Sequence, residues 1–218
     1  MENWTEILAQ LKESRKGDIL QCAKSIFMEQ GFAHVTMKDI ANRAGISRTT
    51  LYKYFKNIEE IAYTIQVVLV SEIDNFEGQK LQKYDSLEEK LASIIEESYA
   101  YTLAHMENRR FTMMFDSYYR GNDVYSKNIS EEIKNEFDDI MKKLQDDRTA
   151  LVYEGFCKMG TDDHKRAEVF AELFCGLVIA HNQRIASGGY HSIHILDELN
   201  GEFERLVLNY FHKYIKTE

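Results

Sequence analysis

The organisation of this chain is clearest in residues 31–56, which read GFAHVTMKDIANRAGISRTTLYKYFK. Thr36 and Asp39 have the spacing of a helix N-cap and its N3 acid, which predicts a short helix that Gly45 is suited to end. Ser47 is suited to cap a second helix directly after that glycine. The stretch therefore predicts two short helices joined by a tight turn.

A longer helix before this stretch completes a three-helix unit. Apolar residues recur at helical spacing over 15–30, and Gly31 is suited to end that helix. Three helices with a tight turn between the last two have the spacing of a helix-turn-helix within a three-helix bundle. We therefore expect residues 1–57 to form a helix-turn-helix DNA-binding domain with an N-terminal helical extension, and residues 58–218 to form a second helical domain.

The rest of the chain also favours helices, and the predicted fold class is all-α. The sequence contains no proline, which suits long uninterrupted helices. Asn57 with Glu60, and Ser86 with Glu89, have capping-box spacing at the starts of two of them. The predicted helices cover residues 3–13, 15–30, 37–44, 48–55, 58–79, 86–106, 109–119, 126–147, 149–158, 162–186 and 192–216.

Composition excludes several classes of protein. Hydrophobic residues make up 44% of the 218 residues and aromatic residues 12%, which excludes a disordered chain. No apolar run is long enough to span a bilayer, the N-terminus lacks the layout of a signal peptide, and the three cysteines form no CxxC motif. We expect a cytoplasmic protein with no membrane partner.

The charge of the chain is unevenly distributed. The formal net charge is -9, yet residues 35–56 contain five basic side chains and only Asp39 as an acid. An acidic protein with one small basic stretch is not a general polyanion binder, although it can contact phosphates at that stretch.

The second short helix is predicted to present a polar face for reading DNA. Eight residues, 48–55, extend about 12 Å, which matches the width of the major groove. Leu51 and Phe55 lie one turn apart and face inward, whereas Arg48 offers a bidentate fork for guanine. The candidate DNA-binding residues are Thr36, Lys38, Ser47, Arg48, Thr49, Tyr52, Lys53, Tyr54 and Lys56.

The pattern over residues 15–61 resembles the TetR family of bacterial transcriptional regulators. The resemblance depends on RKGDILQCAKSIFMEQGF at 15–32, TMKDIA at 36–41 and AGISRTTLYKYFK at 44–56. It implies a dimeric repressor that binds a palindromic operator and leaves it when a small-molecule effector enters the C-terminal domain. One departure is Ile58, where the family usually has lysine; either Lys56 supplies that phosphate contact or nonspecific affinity is lower.

The resemblance assigns roles to individual residues of the candidate interface. It implies base contacts for Arg48 and Thr49. It implies phosphate contacts for Thr36, Tyr52, Tyr54 and Lys53.

The resemblance also implies that the last two long helices, 162–186 and 192–216, form a four-helix interface in a homodimer. Each predicted helix has an apolar stripe, although such stripes are equally suited to burial within one chain. The predicted interface residues are Phe170, Phe174, Leu177, Leu199, Phe203, Leu206 and Tyr210.

Aromatic and methionine residues are concentrated between Tyr99 and Tyr125. Such side chains line adaptable apolar pockets, and the alternative is that most of them are ordinary core. Nearby acids, Glu96, Glu97 and Asp116, favour a cationic or polar-aromatic effector. The candidate ligand-binding residues are Tyr99, Phe111, Met114, Phe115, Tyr118 and Tyr119.

Other functions are disfavoured by the motifs present. His191 and His194, with His181, are too few donors to predict a metal site, so we expect no metal or cofactor. The sequence has no GxSxG, HExxH or phosphate loop, and we expect no enzyme. The alternative function is a helical protein-interaction module whose degenerate helix-turn-helix does not bind DNA.

Overall fold

The structure, a computed structural model, describes the backbone of residues 4–78, 81–119, 127–189 and 195–216. Its described side chains are those of residues 13–76, 81–119, 127–189 and 195–214. The described residues contain helices and no strand, which confirms the all-α class. The helices are α1 (Trp4–Gln30), α2 (Met37–Arg43), α3 (Arg48–Leu51), α4 (Ile58–Gly78), α5 (Leu87–Ala104), α6 (Met106–Tyr119), α7 (Glu131–Lys158), α8 (His164–Ala186) and α9 (Leu196–Lys216), with a 3₁₀ turn at Leu81–Lys83.

Several helix boundaries differ from the sequence-based expectation. Helix α1 continues through residues 13–15, where no glycine or proline interrupts it. Helix α7 is one helix of 28 residues, and Thr149, predicted to start a separate helix, is buried in its interior. A threonine signals a helix start only where the chain before it leaves the helix, which does not happen here.

One compact unit contains the helix-turn-helix and a later part of the chain. It comprises residues 1–69 and 111–138. Its core places Phe27 and Phe32 of the N-terminal part against Phe111 and Tyr119 of α6. The centroid of the Phe32 ring lies 5.3 Å from that of Phe111 and 5.1 Å from that of Tyr119.

The other compact unit comprises residues 70–110 and 139–218. Its apolar core joins α5, α7, α8 and α9, with Phe170 and Phe211 in ring contact at 5.1 Å. A buried polar seam lies in the same unit, where Arg109 donates hydrogen bonds to Thr102 Oγ1 (3.1 Å) and Ser98 Oγ (2.6 Å). Asn182 Nδ2 donates to the same Ser98 hydroxyl at 3.1 Å.

These compact units do not follow the border predicted at residue 57. Side chains within 111–119 and 127–138 pack into the core of the helix-turn-helix, so contacts group them with the N-terminal part of the chain. The functional division into 1–57 and 58–218 stays a prediction. Within the described residues, no helix is both long and apolar enough to cross a membrane.

Candidate nucleic-acid interface

The start of α2 is fixed by a complete capping box. The hydroxyl of Thr36 accepts a hydrogen bond from the backbone N–H of Asp39 at 3.3 Å, and the Asp39 carboxylate accepts from the Thr36 N–H at 3.0 Å. Hydrogen bonds from the Thr36 hydroxyl and backbone lower the pKa of Asp39. The predicted cap is confirmed, and it holds the exposed Thr36 and Lys38 at the N-terminus of a helix.

The turn between α2 and α3 is built around a left-handed glycine. Gly45 has φ +64°, which L side chains rarely adopt, and Ile46 N–H donates to the Ala41 carbonyl at 3.0 Å. Ser47 then caps α3, because its hydroxyl accepts from the Thr50 N–H at 3.0 Å. Both signals predicted from the sequence are confirmed.

The second short helix is shorter than predicted. The α-helix covers Arg48–Leu51, and the chain then tightens into turns in which Lys53 N–H donates to the Thr50 carbonyl and Tyr54 N–H to the Leu51 carbonyl. The prediction of a continuous α-helix over 48–55 is therefore wrong. We call residues 47–56 the reading segment.

The reading segment separates apolar from polar side chains as predicted. Leu51 and Phe55 are buried at 0% and 2% exposure in the core of the first unit. The Arg48 guanidinium lies 6.0 Å from the centre of the Tyr52 ring, which is 48% exposed. The exposed members of the predicted set are Thr36, Lys38, Ser47, Arg48, Thr49, Tyr52, Lys53 and Lys56.

Tyr54 differs from the other predicted contacts. Its side chain is half-buried and packs against the apolar core. Tyr54 therefore anchors the reading segment to the core and also offers a hydroxyl at the surface. The sequence alone does not distinguish this half-buried position from a fully exposed one.

The helix-turn-helix region is similar to a known family. The family described as bacterial regulatory proteins, tetR family, matches residues 19–63, which contain the whole helix-turn-helix. Residues 19–63 are therefore similar to the bacterial regulatory proteins of the tetR family. The resemblance inferred from the sequence motifs is confirmed.

Individual relatives match over a short part of the chain. The uncharacterized HTH-type transcriptional regulator YfiR of Bacillus subtilis is 42% identical over 50 residues, which are 23% of this chain and 24% of the relative. The HTH-type transcriptional repressor KstR2 of Mycobacterium tuberculosis is 42% identical over 48 residues, 22% of this chain and 24% of the relative. The match spans about a quarter of the length of these curated relatives.

The fold as a whole is similar to that of solved TetR-like regulators. The transcriptional regulator FadR from Bacillus subtilis, solved in complex with stearoyl-CoA, has a TM-score of 0.64 at 17% identity. The similarity covers 88% of this chain and 96% of FadR. At that identity, the comparison shows a common fold.

Two sets of contacts that support the helix-turn-helix were not predicted from the sequence. The first joins α1 to α2, where the guanidinium of Arg43 donates to both carboxylate oxygens of Glu29. The Arg43 hydrogen bond lowers the pKa of Glu29. The 14-residue separation gives no periodic signal, so only the folded arrangement reveals this pair.

The second support surrounds the predicted Asn57–Glu60 capping box. Asn57 Oδ1 accepts from the Glu60 N–H at 2.9 Å, as a cap does. Glu60 Oε2 accepts from the Lys56 N–H at 2.7 Å, one residue before the cap, and Oε1 accepts from the Ser130 N–H at 3.1 Å. Asn57 Nδ2 donates to the Asn128 carbonyl. We call these four hydrogen bonds the Glu60 tie.

Five of the six predicted ligand-binding residues belong to a packed core, which corrects the prediction for these five. Phe111, Phe115 and Tyr119 are buried at 0%, 0% and 3% exposure in the core of the first unit, and Met114 and Tyr118 pack against it. Their surfaces are occupied by other side chains, so the alternative of ordinary core describes them.

Tyr99, the sixth predicted ligand-binding residue, belongs to the other unit. Its hydroxyl donates to Asp197 Oδ1 at 2.6 Å, and burial together with that carboxylate raises the pKa of Tyr99 to about 12. Tyr125, at the end of the aromatic stretch, lies outside the described residues.

The predicted dimer residues divide into two faces. Phe170 and Phe174 are buried at 1% and 4% exposure in the core of their own unit, so they are not available to a second chain, which corrects the prediction for both. Leu177, Leu206 and Tyr210 are 45%, 61% and 45% exposed, whereas Leu199 and Phe203 are half-buried. Val169 and Leu173, also exposed, continue the stripe of Leu177 along α8 at helical spacing.

Metal binding finds no support in the described part of the chain. No group of three or more His, Cys, Asp or Glu side chains there is arranged to hold an ion. His191 and His194 lie outside the described residues. His181 is buried, and its ring stacks on Phe203 with the centroids 4.2 Å apart.

Proposed function

We propose that this chain is a transcriptional repressor that binds a palindromic DNA operator as a homodimer and is released by a small-molecule effector. Two of the relatives support a regulatory role, since they are named a transcriptional regulator and a transcriptional repressor. We expect no catalytic activity.

The observation that carries this proposal is the exposed polar face of the reading segment. Arg48 and Thr49 project from the first turn of α3 while Leu51 anchors the segment in the core. Guanidinium and hydroxyl groups in this arrangement suit base edges, and Lys53 and Lys56 suit phosphates. The basic stretch lies in an otherwise acidic protein, so binding is confined to this face.

A gel-shift titration tests DNA binding. The probe is double-stranded DNA from upstream of the chain's own gene, and the variants are Arg48→Ala and Tyr52→Phe. Loss of a bidentate base contact is expected to weaken binding about tenfold or more for Arg48→Ala. Tyr52→Phe is expected to weaken binding through one lost phosphate contact.

The matched control for this titration is Arg205→Ala. Arg205 lies on α9, is exposed and pairs with Glu202, so its removal changes the net charge equally without touching the reading segment. Equal affinity of Arg48→Ala and Arg205→Ala would contradict the assignment. Absence of any salt-dependent shift with the unaltered protein would favour the alternative, a protein-interaction module.

Homodimerisation is proposed from the exposed apolar stripe on α8 and α9. Leu177, Leu206 and Tyr210 are large apolar side chains that a monomer leaves in water. A palindromic operator presents its half-sites about 34 Å apart, so two copies of the reading segment are required.

The effector is proposed to be a cationic or polar-aromatic small molecule, as the acidic residues Glu96, Glu97 and Asp116 favour. FadR was solved with stearoyl-CoA, an anionic ligand of another class. A thermal-shift screen that contains stearoyl-CoA and a set of cationic aromatic amines separates the two classes. Stabilisation by the anionic ligand alone would overturn the cationic proposal.

The direction of regulation is tested in cells by deleting the gene. If the chain is a repressor, transcription from the promoter that it binds rises on deletion. A fall in transcription would instead identify an activator.

A further inference from the structure

Glu60 is an acid whose burial needs an explanation. Its side chain belongs to a residue only 4% exposed, and burying a carboxylate is costly unless its oxygens are hydrogen-bonded. Both oxygens are in fact occupied, one by the Lys56 N–H and the other by the Ser130 N–H. Hydrogen bonds to an ionised acceptor are stronger than neutral ones.

The two amides that share this carboxylate come from distant parts of the sequence. Lys56 is the last residue of the reading segment and directly follows the buried Phe55. Ser130 directly precedes α7, which starts at Glu131. An ordinary capping box satisfies amides at the start of one helix, whereas Glu60 also satisfies one at the start of a second helix, 70 residues further along the chain.

Asn57 repeats the same connection beside Glu60. Its Oδ1 caps α4 through the Glu60 N–H, and its Nδ2 donates to the carbonyl of Asn128. Two adjacent side chains therefore connect the end of the reading segment to residues 128–130. All of these residues belong to the same compact unit.

We propose that Glu60 is a positioning residue which couples the reading segment to the start of α7, so that a shift at either place changes the other. This rests on the proposed DNA-binding function. A displacement of residues 128–130 must either break a charge-assisted hydrogen bond or move Glu60, whose other oxygen holds Lys56. By reciprocity, DNA binding at the reading segment changes the stability of the Ser130 hydrogen bond.

The variant that tests the coupling is Glu60→Gln, with Glu59→Gln as its matched control. Glutamine keeps the shape and one acceptor oxygen, but its other terminal group is a donor and cannot accept from a second amide. Glu59 is the neighbouring acid in the same first turn of α4, so its substitution removes an equal charge from the same helix terminus.

Hydrogen exchange of the free protein is the first measurement. Loss of a hydrogen bond to a charged acceptor is expected to speed exchange of the Lys56 or Ser130 amide, or both, about tenfold or more in Glu60→Gln. Glu59→Gln is expected to leave both amides at the rate of the unaltered protein. Identical rates at both amides in the two variants would overturn the proposal, whatever the protein does with DNA.

DNA binding is the second measurement, with the upstream fragment as the probe. In the unaltered protein, DNA is expected to slow exchange at Ser130, and Glu60→Gln is expected to lose that response and to bind about tenfold more weakly. If Glu60→Gln still shows slower Ser130 exchange with DNA and binds DNA as tightly as the unaltered protein, the proposed coupling is wrong. If the unaltered protein does not bind DNA but Glu60→Gln still speeds exchange of the Lys56 or Ser130 amide, the proposed function is wrong. The hydrogen bonds of the Glu60 tie are then supported independently of DNA binding.

Asn57→Ser provides an independent variant if Glu60→Gln does not fold. The serine hydroxyl still caps α4, whereas the donor to Asn128 is lost. A smaller acceleration at Ser130 in the same direction supports the coupling. Unchanged exchange at Ser130 in a variant that has lost the Asn128 contact would count against it.

Discussion

At the scale of single residues, Gly155 shows how closely two helices of the second unit approach. A Cβ added to Gly155 of α7 would overlap Leu87 Cδ2 and lie 2.6 Å from Leu87 Cβ. Leu87 is buried at the first position of α5, so its Cβ cannot move away without moving the helix. Only glycine fits here.

We predict that Gly155→Ala destabilises the protein by about 1–3 kcal/mol, the usual cost of overpacking a core. The control is Gly201→Ala on α9, where nothing lies within 4 Å of the added Cβ and alanine favours the helix. Urea denaturation of both variants measures the difference. Equal midpoints would contradict the contact with Leu87.

His181 is predicted to make stability depend on pH. Burial lowers the pKa of His181 below its usual value, so the folded state holds the neutral ring and the unfolded state binds the proton more readily. The free energy of unfolding therefore keeps its full value, as far as His181 determines it, above about pH 6.5. It decreases as the pH falls from there toward the lower pKa of the folded state.

The measurement for His181 is the urea midpoint at pH 7.5 and pH 5.5. We expect the decrease between them to be smaller in His181→Gln than in the unaltered protein. His105→Gln, at an exposed residue of the same unit, is expected to keep the full decrease. An equal decrease in all three proteins would show that other groups cause it.

Residue identity alone predicted the outer face of the reading segment and failed for the aromatic stretch. Helical spacing distinguishes Arg48 from Leu51, because one face of a short helix must be buried. The same spacing does not distinguish Phe111 in a packed core from Phe111 in a cavity wall, since both require an inward aromatic ring. The partners that decide between them, Phe27 and Phe32, lie about 80 residues away in the chain.

At the scale of helices, the caps set where elements begin. Ser86 starts α5 with a complete capping box, in which its hydroxyl accepts from the Glu89 N–H at 3.2 Å and donates to the Glu89 carboxylate at 2.7 Å. The Ser86 backbone N–H also donates to the Glu89 carboxylate, at 3.3 Å, and the hydrogen bonds from the Ser86 hydroxyl and backbone lower the pKa of Glu89. The box lies in the compact unit that does not contain the helix-turn-helix, so its loss tests helix stability alone.

We predict that Ser86→Ala destabilises the protein by about 1 kcal/mol, the typical cost of losing an N-cap. Ser86→Thr keeps a hydroxyl at the same position and is expected to retain most of that stability. Thermal denaturation distinguishes them. Equal melting temperatures for the alanine and threonine variants would show that the cap contributes nothing.

Helix starts were more predictable than helix lengths. Thr36, Ser47 and Ser86 each act as the cap that their spacing predicts. Lengths depend on tertiary packing, which is why α3 ends at Leu51 once Phe55 turns into the core. The Glu60 tie shows the same limit, because a capping box predicts Glu60 near its own helix start and says nothing of Ser130.

At the scale of the whole molecule, we propose that the homodimer forms through the exposed stripe of α8 and α9. Leu206 on α9 is 61% exposed, and Leu177 on α8 is 45% exposed. A charge placed on such a side chain would be buried without a partner in a dimer, which is strongly unfavourable.

We predict that Leu177→Asp and Leu206→Asp give monomers in light scattering coupled to size-exclusion chromatography, and that both lose binding to the upstream fragment. Ile179→Asp is the matched control, because Ile179 is 39% exposed on α8 but lies away from the stripe. A dimer that survives both stripe substitutions would place the interface elsewhere.

The composition of the compact units was the least predictable property at this scale, whereas the functional division at residue 57 stays a prediction. Local signals place a boundary after residue 57, where the helix-turn-helix pattern ends. Contacts instead join residues 111–138 to the first 69 residues, through rings that meet only in the folded chain.

That shared aromatic core has a consequence for engineering. A hybrid regulator made by transplanting only the first 60 or so residues onto a foreign sensor would expose the rings of Phe27 and Phe32, which in the native chain rest on Phe111, Tyr118 and Tyr119. The portable module is therefore discontinuous in sequence, and a successful chimera has to carry the donor's 111–138 together with its N-terminal helices.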